Sequence, residues 1–394
     1  MSRAVTMLSL GDLCDVVGGG TPAKDKPEYY NGDIPWATVR DMRSEVIVET
    51  EFRITREAVA ASATNIIPSG SVVIATRVGL GKVCLVARPT AINQDLRGIV
   101  PRNPERLLVR YLFWWLKSVA RLIQNEGTGA TVQGVKLPFI KSLQIPLCSV
   151  SEQRRIVSIL DEAFEGIATA KANAEKNLQK SRDLFASSLA SFFDAGWPRV
   201  RIEDACESVM DCVNKTAPTV SEPTIYKMIR TTNVRDGVLN LDSVKYVSEE
   251  TFKIWIRRQK PQRGDVILTR EAPMGEVGML ESDDHIFLGQ RLVSYRSDSA
   301  KLENRFLLYA LQSDCLQRQI HDLASGSTVQ HMRVPDSKNL KLPLPDISEQ
   351  QAVVQKLDAI RRATVELTLI YSRKVSALDE LKKSLLHQAF TGQL

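Results

Sequence analysis

Residues 129–153 read GATVQGVKLPFIKSLQIPLCSVSEQ, and residues 326–350 read GSTVQHMRVPDSKNLKLPLPDISEQ. The offset is 197 throughout, with no gap. Upstream, SGSVVIATRVGLGKV (69–83) matches RGDVILTREAPMGEV (263–277) at an offset of 193 that becomes 194 after one insertion. Gln94 and Gln290 follow these segments equivalently, and Arg40-Asp41 after Val39 matches Arg235-Asp236 after Val234. Ordered correspondence over about 150 residues marks a duplicated unit, and self-similarity on that scale constrains a fold more than any local propensity. A chain of 394 residues also exceeds one ordinary core and suits two domains.

Both repeats end alike, in a Leu/Pro stretch, then Ser-Glu-Gln, then a long apolar-periodic segment. Ser151 and Ser348 read as N-caps, since a hydroxyl accepts from a free first-turn amide. Ser348 with Gln351 fits a capping box, and Glu152 and Glu349 place negative charge at the positive helix end. From Ile156 the seam runs Ile156, Leu160, Ala163, Ile167, Ala170, Ala174, a heptad spacing. It then slips by one position to Leu178, Phe185, Leu189 and Phe192. The second seam runs Val353, Leu357, Ile360, Thr364, Leu367, Tyr371, Lys374, Leu378, Leu381, Leu385. Neither segment contains proline, and about 40 residues at ~1.5 Å each make a rod on the order of 60 Å. The predicted layout is a domain (1–150), a central spacer helix (151–197, stopping near Gly196-Trp197-Pro198), a second domain (198–347) and a C-terminal spacer helix (348–394).

The domains read as mixed, strand-rich α/β units. VVIATRVG and DVILTREA are β-branched runs entering Gly-containing turns, and 105–123 and 303–320 are amphipathic helices. Repeats related by a two-fold make the rods antiparallel. Ala163, Ala170 and Ala174 are small where their repeat mates Ile360, Leu367 and Tyr371 are large, which suits such a pair. The alternative is that each helix folds back on its own domain.

Motif chemistry excludes much. No apolar run approaches the ~18 residues of a membrane span, and the start MSRAVTMLSLGD is too soon polar for a secretion signal, so a cytoplasmic protein is expected. The six cysteines show no Cys-x-x-Cys pair and the four histidines are scattered, so no metal site is expected and the cysteines read as buried reduced thiols. The sequence has no Gly-x-x-x-x-Gly-Lys-Ser/Thr loop, no Gly-x-Ser-x-Gly elbow, no His-Glu-x-x-His helix and no Pro-Pro pair for a methyltransferase loop. Pro335-Asp336-Ser337-Lys338 lacks the second carboxylate a nuclease needs. Gly18-Gly19-Gly20-Thr21-Pro22 looks like a phosphate loop, but Pro22 removes a donor and a surface loop fits better.

What remains suits DNA. Residues 1–150 carry 18 Lys+Arg against 13 Asp+Glu, a net +5 of the chain's +6, whereas 198–347 carry 21 of each. Such an excess is compatible with a polyanionic partner. Arg77 and Arg270 follow equivalent strands and are candidates for a guanine edge or a phosphate. Lys253, Arg257, Arg258, Lys260 and Arg263 lie in one acid-free stretch with Trp255, either a phosphate track or a solvated helix face. Gln94, Gln133, Gln290 and Gln330 carry amides that pair with adenine. Because two readers should differ, the repeated Gly-x-Thr-Val-Gln, with Thr131 and Thr328, reads as structural or phosphate-contacting. The dissimilar stretches near 20–60 and 206–262 are the better places for sequence reading. Lys24, Trp36, Arg40, Arg43, Lys82, Arg235 and Arg291 complete the candidate DNA-contacting set.

These features together resemble the specificity subunit of type I restriction–modification enzymes. The likeness is carried by Gly19-Gly20-Thr21-Pro22, Gly32-Asp33-Ile34-Pro35-Trp36, Arg77 through Lys82, Asn93-Gln94, the twin Ser-Glu-Gln helix starts, and Leu381-Lys382-Lys383-Ser384-Leu385-Leu386-His387-Gln388-Ala389-Phe390. It spans essentially the whole chain. The second half departs at its start, where no Gly-Gly-x-Pro or Ile-Pro-Trp appears near 210–232. The resemblance implies two target-recognition domains, each reading half of a split site in double-stranded DNA, with antiparallel helices setting the gap. It implies two modification subunits as partners, and admits motor-nuclease restriction subunits. It places S-adenosylmethionine and methyl transfer to adenine in those partners, with no cofactor or catalytic residue in this chain. The competing readings are an enzyme with unrecognised motifs and a coiled-coil scaffold that binds only proteins.

Overall fold

The computed structural model describes residues 6–127, 134–194, 196–213, 215–325 and 330–394. The duplication extends through the topology. In the first half, Cys14–Gly18, Leu96–Pro101, Val72–Ala75, Val83–Val86 and Val46–Ile47 form one sheet in that order, antiparallel except for the last pair. In the second half, Cys206–Asp211, Leu292–Ser297, Val266–Arg270, Met274–Met279 and Gly237–Leu239 repeat that order and those directions, and Val234–Arg235 is added at the edge. A smaller sheet sits in each half around a parallel pair, Ile34–Ala37 with Thr90–Ile92 and Tyr226–Ile229 with His285–Leu288. A two-stranded ribbon closes each half, Thr6–Ser9 with Gln144–Leu147 and Arg199–Arg201 with Lys341–Pro343. Buried Val72, Ile74 and Ile99 in one half, and Val266, Leu268 and Tyr295 in the other, show why these β-branched runs become interior strands.

Each predicted domain helix is two helices. Val109–Ser118 and Ala120–Asn125 break at Val119, and Asn304–Gln312 and Asp314–Asp322 break at Ser313. The long helices span Val150–Phe193 and Ile347–Thr391, 44 and 45 residues. Their caps differ from the sequence reading. Ser149 Oγ, not Ser151, accepts from Glu152 N (3.3 Å), and Asp346 Oδ1 accepts from Glu349 N (2.9 Å) and the Ser348 hydroxyl (2.6 Å). A carboxylate two residues earlier outcompetes the Ser348 hydroxyl as an acceptor at the positive helix end. Those bonds hold the Asp346 carboxyl below its ordinary range, the Ser348 hydroxyl first and the Glu349 amide next.

Two compact units result: Met1–Ala174 with Arg373–Leu394, and Glu175–Ser372. Each contains part of both long helices, and in each the helices run antiparallel. In the first unit Arg155 donates to the Leu394 carbonyl (2.8 Å), Lys382 lies over Phe164 and Lys171 bonds Asp379 (2.7 Å), so numbers rise on one helix as they fall on the other. In the second unit Lys356, near the start of the C-terminal helix, lies over Phe192 near the end of the central one. The helices do not fold back singly on their own domains.

The observed seams correct the predicted ones. Ile156, Leu160, Ile167, Val353 and Leu357 are buried, and Ala163, Ile360, Leu367, Leu378 and Leu385 are half-buried. Phe164, Ser181 and Val354 are buried too, and half-buried Lys171 occupies the position next to Ala170. With these, the central helix repeats without a slip from Phe164 through Ile167, Lys171, Ala174, Leu178 and Ser181 to Phe185; beyond it Leu189 is buried, as in the predicted seam, with Ser188 and Phe192 half-buried. On the C-terminal helix Lys374 and Leu381 are exposed, and half-buried Val375 and Lys382 take their places. Polar residues at seam positions are why an apolar template lost its phase.

Two side-chain devices, duplicated between the halves, fix each long helix to its domain. Gln153 and Gln350, both fully buried, clamp backbone that lies just before Val109–Ser118 and Asn304–Gln312. Asp161 accepts from Arg110 Nε (2.9 Å) and Trp114 Nε1 (2.7 Å), and Asp358 accepts from Arg305 Nη1 (2.8 Å) and the Tyr309 hydroxyl. Arg and the aromatic residue stand four apart on the domain helix, one turn, so they face the same carboxylate. Burial, then the bond to Asp358, pushes the Tyr309 hydroxyl up to about 12. Substituting Asp161→Asn or Asp358→Asn is expected to cost about 1–2 kcal/mol in thermal unfolding, discounted because the arginines are partly exposed. Wild-type melting in both variants would remove this device from the account.

Candidate nucleic-acid interface

The residue set proposed from sequence divides sharply in space. Trp36 is 7% exposed and its only polar atom donates to the Gly20 carbonyl (3.1 Å), so it belongs to the core and not to a reading surface. That carbonyl also accepts from Thr64 Oγ1, while Gly20 N donates to the Ile92 carbonyl. A Cβ on Gly19 would stand 2.0 Å from the Asn93 carbonyl oxygen. The glycine run exists because the backbone crosses a strand end at contact distance; the Gly20 amide is spent and does not face a phosphate.

The basic stretch near 253–263 is not a free track. Lys253 pairs with Glu249 (2.7 Å), Arg258 with Asp211, and Arg263 weakly with Asp283 (3.9 Å). Its helix ends at Trp255, so the run occupies no single face. Arg257 and Lys260 are exposed. Arg235 turns back onto the Thr231 and Val234 carbonyls, Arg43 onto the Arg40 carbonyl, and exposed Arg40 pairs with Glu51 (3.4 Å). Lys24 and Lys82 are exposed. Thr131, Gln133 and Thr328 lie outside the described residues, and Gln330 is exposed.

What the fold does bring together is a constellation built twice. In the first half, the turn after Val72–Ala75 carries Thr76 and Arg77. The turn after Thr90–Ile92 carries Asn93, Gln94 and Asp95, and the loop after Cys14–Gly18 carries Thr21. Thr76 N donates to the Asp95 carbonyl (2.8 Å), Val135 N donates to the Thr76 carbonyl (2.8 Å), and the Thr21 hydroxyl donates to Gln94 Oε1. In the second half, Arg270 N donates to the Arg291 carbonyl (2.8 Å), Met332 N to the Arg270 carbonyl (3.0 Å), and the Thr216 hydroxyl to Gln290 Oε1 (3.5 Å). The backbone therefore equates Thr76 with Arg270, Asp95 with Arg291, and Arg77 with Glu271. The strand pairing agrees, since Ala75 faces Leu96 as Thr269 faces Leu292. Arg77 and Arg270 are not counterparts, as the matched Thr-Arg letters suggested; Arg270 sends Nη1 inward to the Met332 carbonyl (2.8 Å). Likewise Asp41 caps Thr38 N (2.7 Å) as Asn233 caps Arg230 N (2.9 Å), so Arg40-Asp41 does not correspond to Arg235-Asp236. Thr216, Asp95 and Glu271 are members that sequence reasoning missed; Thr216 sits where the halves diverge, and only its contact with Gln290 reveals it.

Among the described residues no comparable assembly of catalytic groups occurs. Among the described residues no three His, Cys, Asp or Glu side chains are grouped to hold a metal. Asp336 pairs with Arg333 (2.7 Å) and Lys338 with Glu203 (2.8 Å), so the nuclease-like tetrapeptide is an ion-paired helix start. None of the six cysteines forms a disulfide, and burial pushes Cys14 and Cys206 up to about 12 and Cys84 to about 11, which keeps these three thiols protonated and unreactive. No helix among the described residues is long and apolar enough to cross a membrane.

The family described as the type I restriction modification DNA specificity domain matches residues 3–179 and again 195–369. The chain belongs to this family. Its members are the non-catalytic, DNA-recognising components of type I restriction–modification enzymes, and the double match reproduces the repeat. The MjaIX specificity subunit of Methanocaldococcus jannaschii is 21% identical over 404 residues, covering 97% of this chain and 92% of that one. The EcoR124I/EcoR124II specificity subunit of Escherichia coli is 34% identical over 193 residues, 45% of this chain and 47% of its own. Among solved structures, a chain from work on assembly and conformational transition of the type I system matches over the full length of both, with a TM-score of 0.77 at 20% identity. The HsdS subunit of Thermoanaerobacter tengcongensis matches at 0.64 and 19% identity, over all of this chain and 98% of that one. The specificity-subunit fold, with two mixed α/β domains and two long helices, is thus shared at low identity.

Proposed function

We propose that each half of this specificity subunit reads one half of a bipartite site in double-stranded DNA, and that the helix pair sets the unread gap between them. The observation that carries this is the duplication itself. Topology, buried glutamine clamp, helix-docking aspartate and the Thr–Gln constellation all occur twice, while the loops around them differ. A shared scaffold with divergent loops is what two readers of different sequence require.

The partners in this reading are two modification subunits, one for each repeat, and motor-nuclease subunits where cleavage is coupled. S-adenosylmethionine belongs to the modification subunits, which extrude the target adenine and transfer the methyl group. This chain supplies position: it binds the duplex and orients its partners, in the cytoplasm where genomic DNA lies. Half-sites read from one face lie about one helical turn apart, roughly 34 Å, a distance within reach of helices of this length.

Exchanging residues 198–347 for the corresponding domain of another specificity subunit is expected to replace one half-site and leave the other, as read from methylated motifs in the host genome. Replacement of both half-sites, or of neither, would sink the two-reader proposal.

A further inference from the structure

The equivalence of Arg77 with Glu271 and of Asp95 with Arg291 exposes a feature invisible in the aligned letters. Arg77 pairs with Asp95 (3.8 Å), and Arg291 pairs with Glu271 (3.2 Å). One ion pair is built at the same place in both halves with its polarity reversed. In both, the acid is the more buried partner, 18% and 23% exposed, and the arginine stands half out, 47% and 52% exposed. In both, Nε is the guanidinium nitrogen nearest the acid. The terminal nitrogens of either guanidinium have no hydrogen-bond partner among the described residues. Exposed Gln94 or Gln290 adjoins the pair, its Oε1 taken by the threonine, so its amide nitrogen is left as a donor.

A pair kept only to hold two turns together does not need one particular member outside. Reversal keeps the pair and moves the cation from the turn after one strand to the turn after another. A guanidinium with its acid on the Nε side keeps both terminal nitrogens unspent, and that two-nitrogen fork matches O6 and N7 of guanine in the major groove. The adjacent carboxylate also weakens attraction to phosphate in general, which favours selectivity over affinity. Resting on the two-reader reading above, we infer that Arg77 and Arg291 are specificity-determining residues. Each reads a guanine in its own half-site, and the reversed polarity places the two guanines at different positions relative to the common scaffold. Arg270, tied inward, takes no part.

The test uses the full chain expressed with its modification subunits, and reads methylated motifs for the wild type and variants. Arg77→Gln is expected to relax one guanine position in one half-site by about tenfold or more, and Arg291→Gln to do so only in the other. Arg77→Lys and Arg291→Lys are expected to behave like the glutamine variants, because an ammonium does not reproduce the fork. The double exchange Arg77→Glu with Asp95→Arg keeps the ion pair, and is expected to move the guanine preference within the same half-site. Full recovery by lysine, uniform loss of methylation over an unchanged motif, or an unaltered motif in the double exchange would overturn the base assignment and leave two readers standing. A wild-type motif that is not bipartite, or both half-sites changing with either single variant, would instead defeat the two-reader reading.

Discussion

Adding one helical turn, four residues, at matching heights of both long helices is expected to lengthen the gap between half-sites by about one to two base pairs and to leave both half-sites unaltered. One turn adds ~6 Å, which is nearly two base pairs at ~3.4 Å per step. The insertion must be made in both helices, because they run antiparallel and share a seam. In the first unit Lys171 meets Asp379 and Lys382 covers Phe164, so an unmatched insertion would shift every such pairing along that seam. A shared four-residue insertion is a stutter, which a coiled coil absorbs by local unwinding. Methylation of the original site is expected to fall on the order of a hundredfold or more. Each lost base-pair contact costs about 1–3 kcal/mol, and a mis-spaced half-site loses several at once. Genome-wide methylation mapping gives both results together. Altered half-sites with an unchanged gap would show that the helices do not measure the spacing.

The architecture was legible because duplication is written in letters, whereas the seams and the site depend on geometry that letters conceal. The helix starts, the strand runs around 72–75 and 266–270, and the antiparallel pairing follow from periodicity and symmetry. The seam lost its phase at Lys171 and Lys382, where a hydrophobic template sees solvent residues. Lys382 is in fact half-buried over Phe164; burial, then the nearby Lys117, holds its pKa below the usual lysine range. Polar seam residues of this kind specify register at some cost in stability. Trp36 looked like a reader because an aromatic within a loop-rich segment resembles one, and only its burial and its bond to Gly20 place it in the core. The matched Thr-Arg pairs at 76–77 and 269–270 misled by one residue, enough to assign Arg270 as the partner of Arg77. Backbone hydrogen bonds detect that shift, and letter matching does not. Asp95 and Glu271 carry the wrong charge for a surface that binds a polyanion, and only their pairing with Arg77 and Arg291 joins them to it.

Replacing Gln350 by Ala is expected to lower the unfolding midpoint by on the order of 10 °C, the largest effect of a single truncation outside the hydrophobic core. Gln350 is fully buried and makes three bonds to backbone: Oε1 accepts from Glu303 N (2.9 Å), and Nε2 donates to the carbonyls of Lys301 (2.8 Å) and Pro345 (2.9 Å). Truncation leaves one donor and two acceptors in a dry interface. Each unmet group costs about 1–3 kcal/mol, so a total on the order of 3–4 kcal/mol follows even if one group finds water. For a domain of 150–250 residues each kcal/mol shifts the midpoint by about 2–4 °C. Gln350→Glu tests the mechanism. A carboxylate still accepts from Glu303 N but turns an oxygen toward two carbonyls, so it is expected to be no better than alanine. Gln153 makes the same three bonds, to Leu108 N (2.9 Å) and the carbonyls of Arg106 (2.9 Å) and Cys148 (3.0 Å), and Gln153→Ala is expected to match Gln350→Ala. The two glutamines lie in different units and share no partner, so their costs should add. Calorimetry on the single and double variants decides this. A shift under about 2 °C for either single variant, roughly 0.5 kcal/mol by the same scaling, would mean that the Ser-Glu-Gln glutamine serves something other than fastening each long helix to its domain.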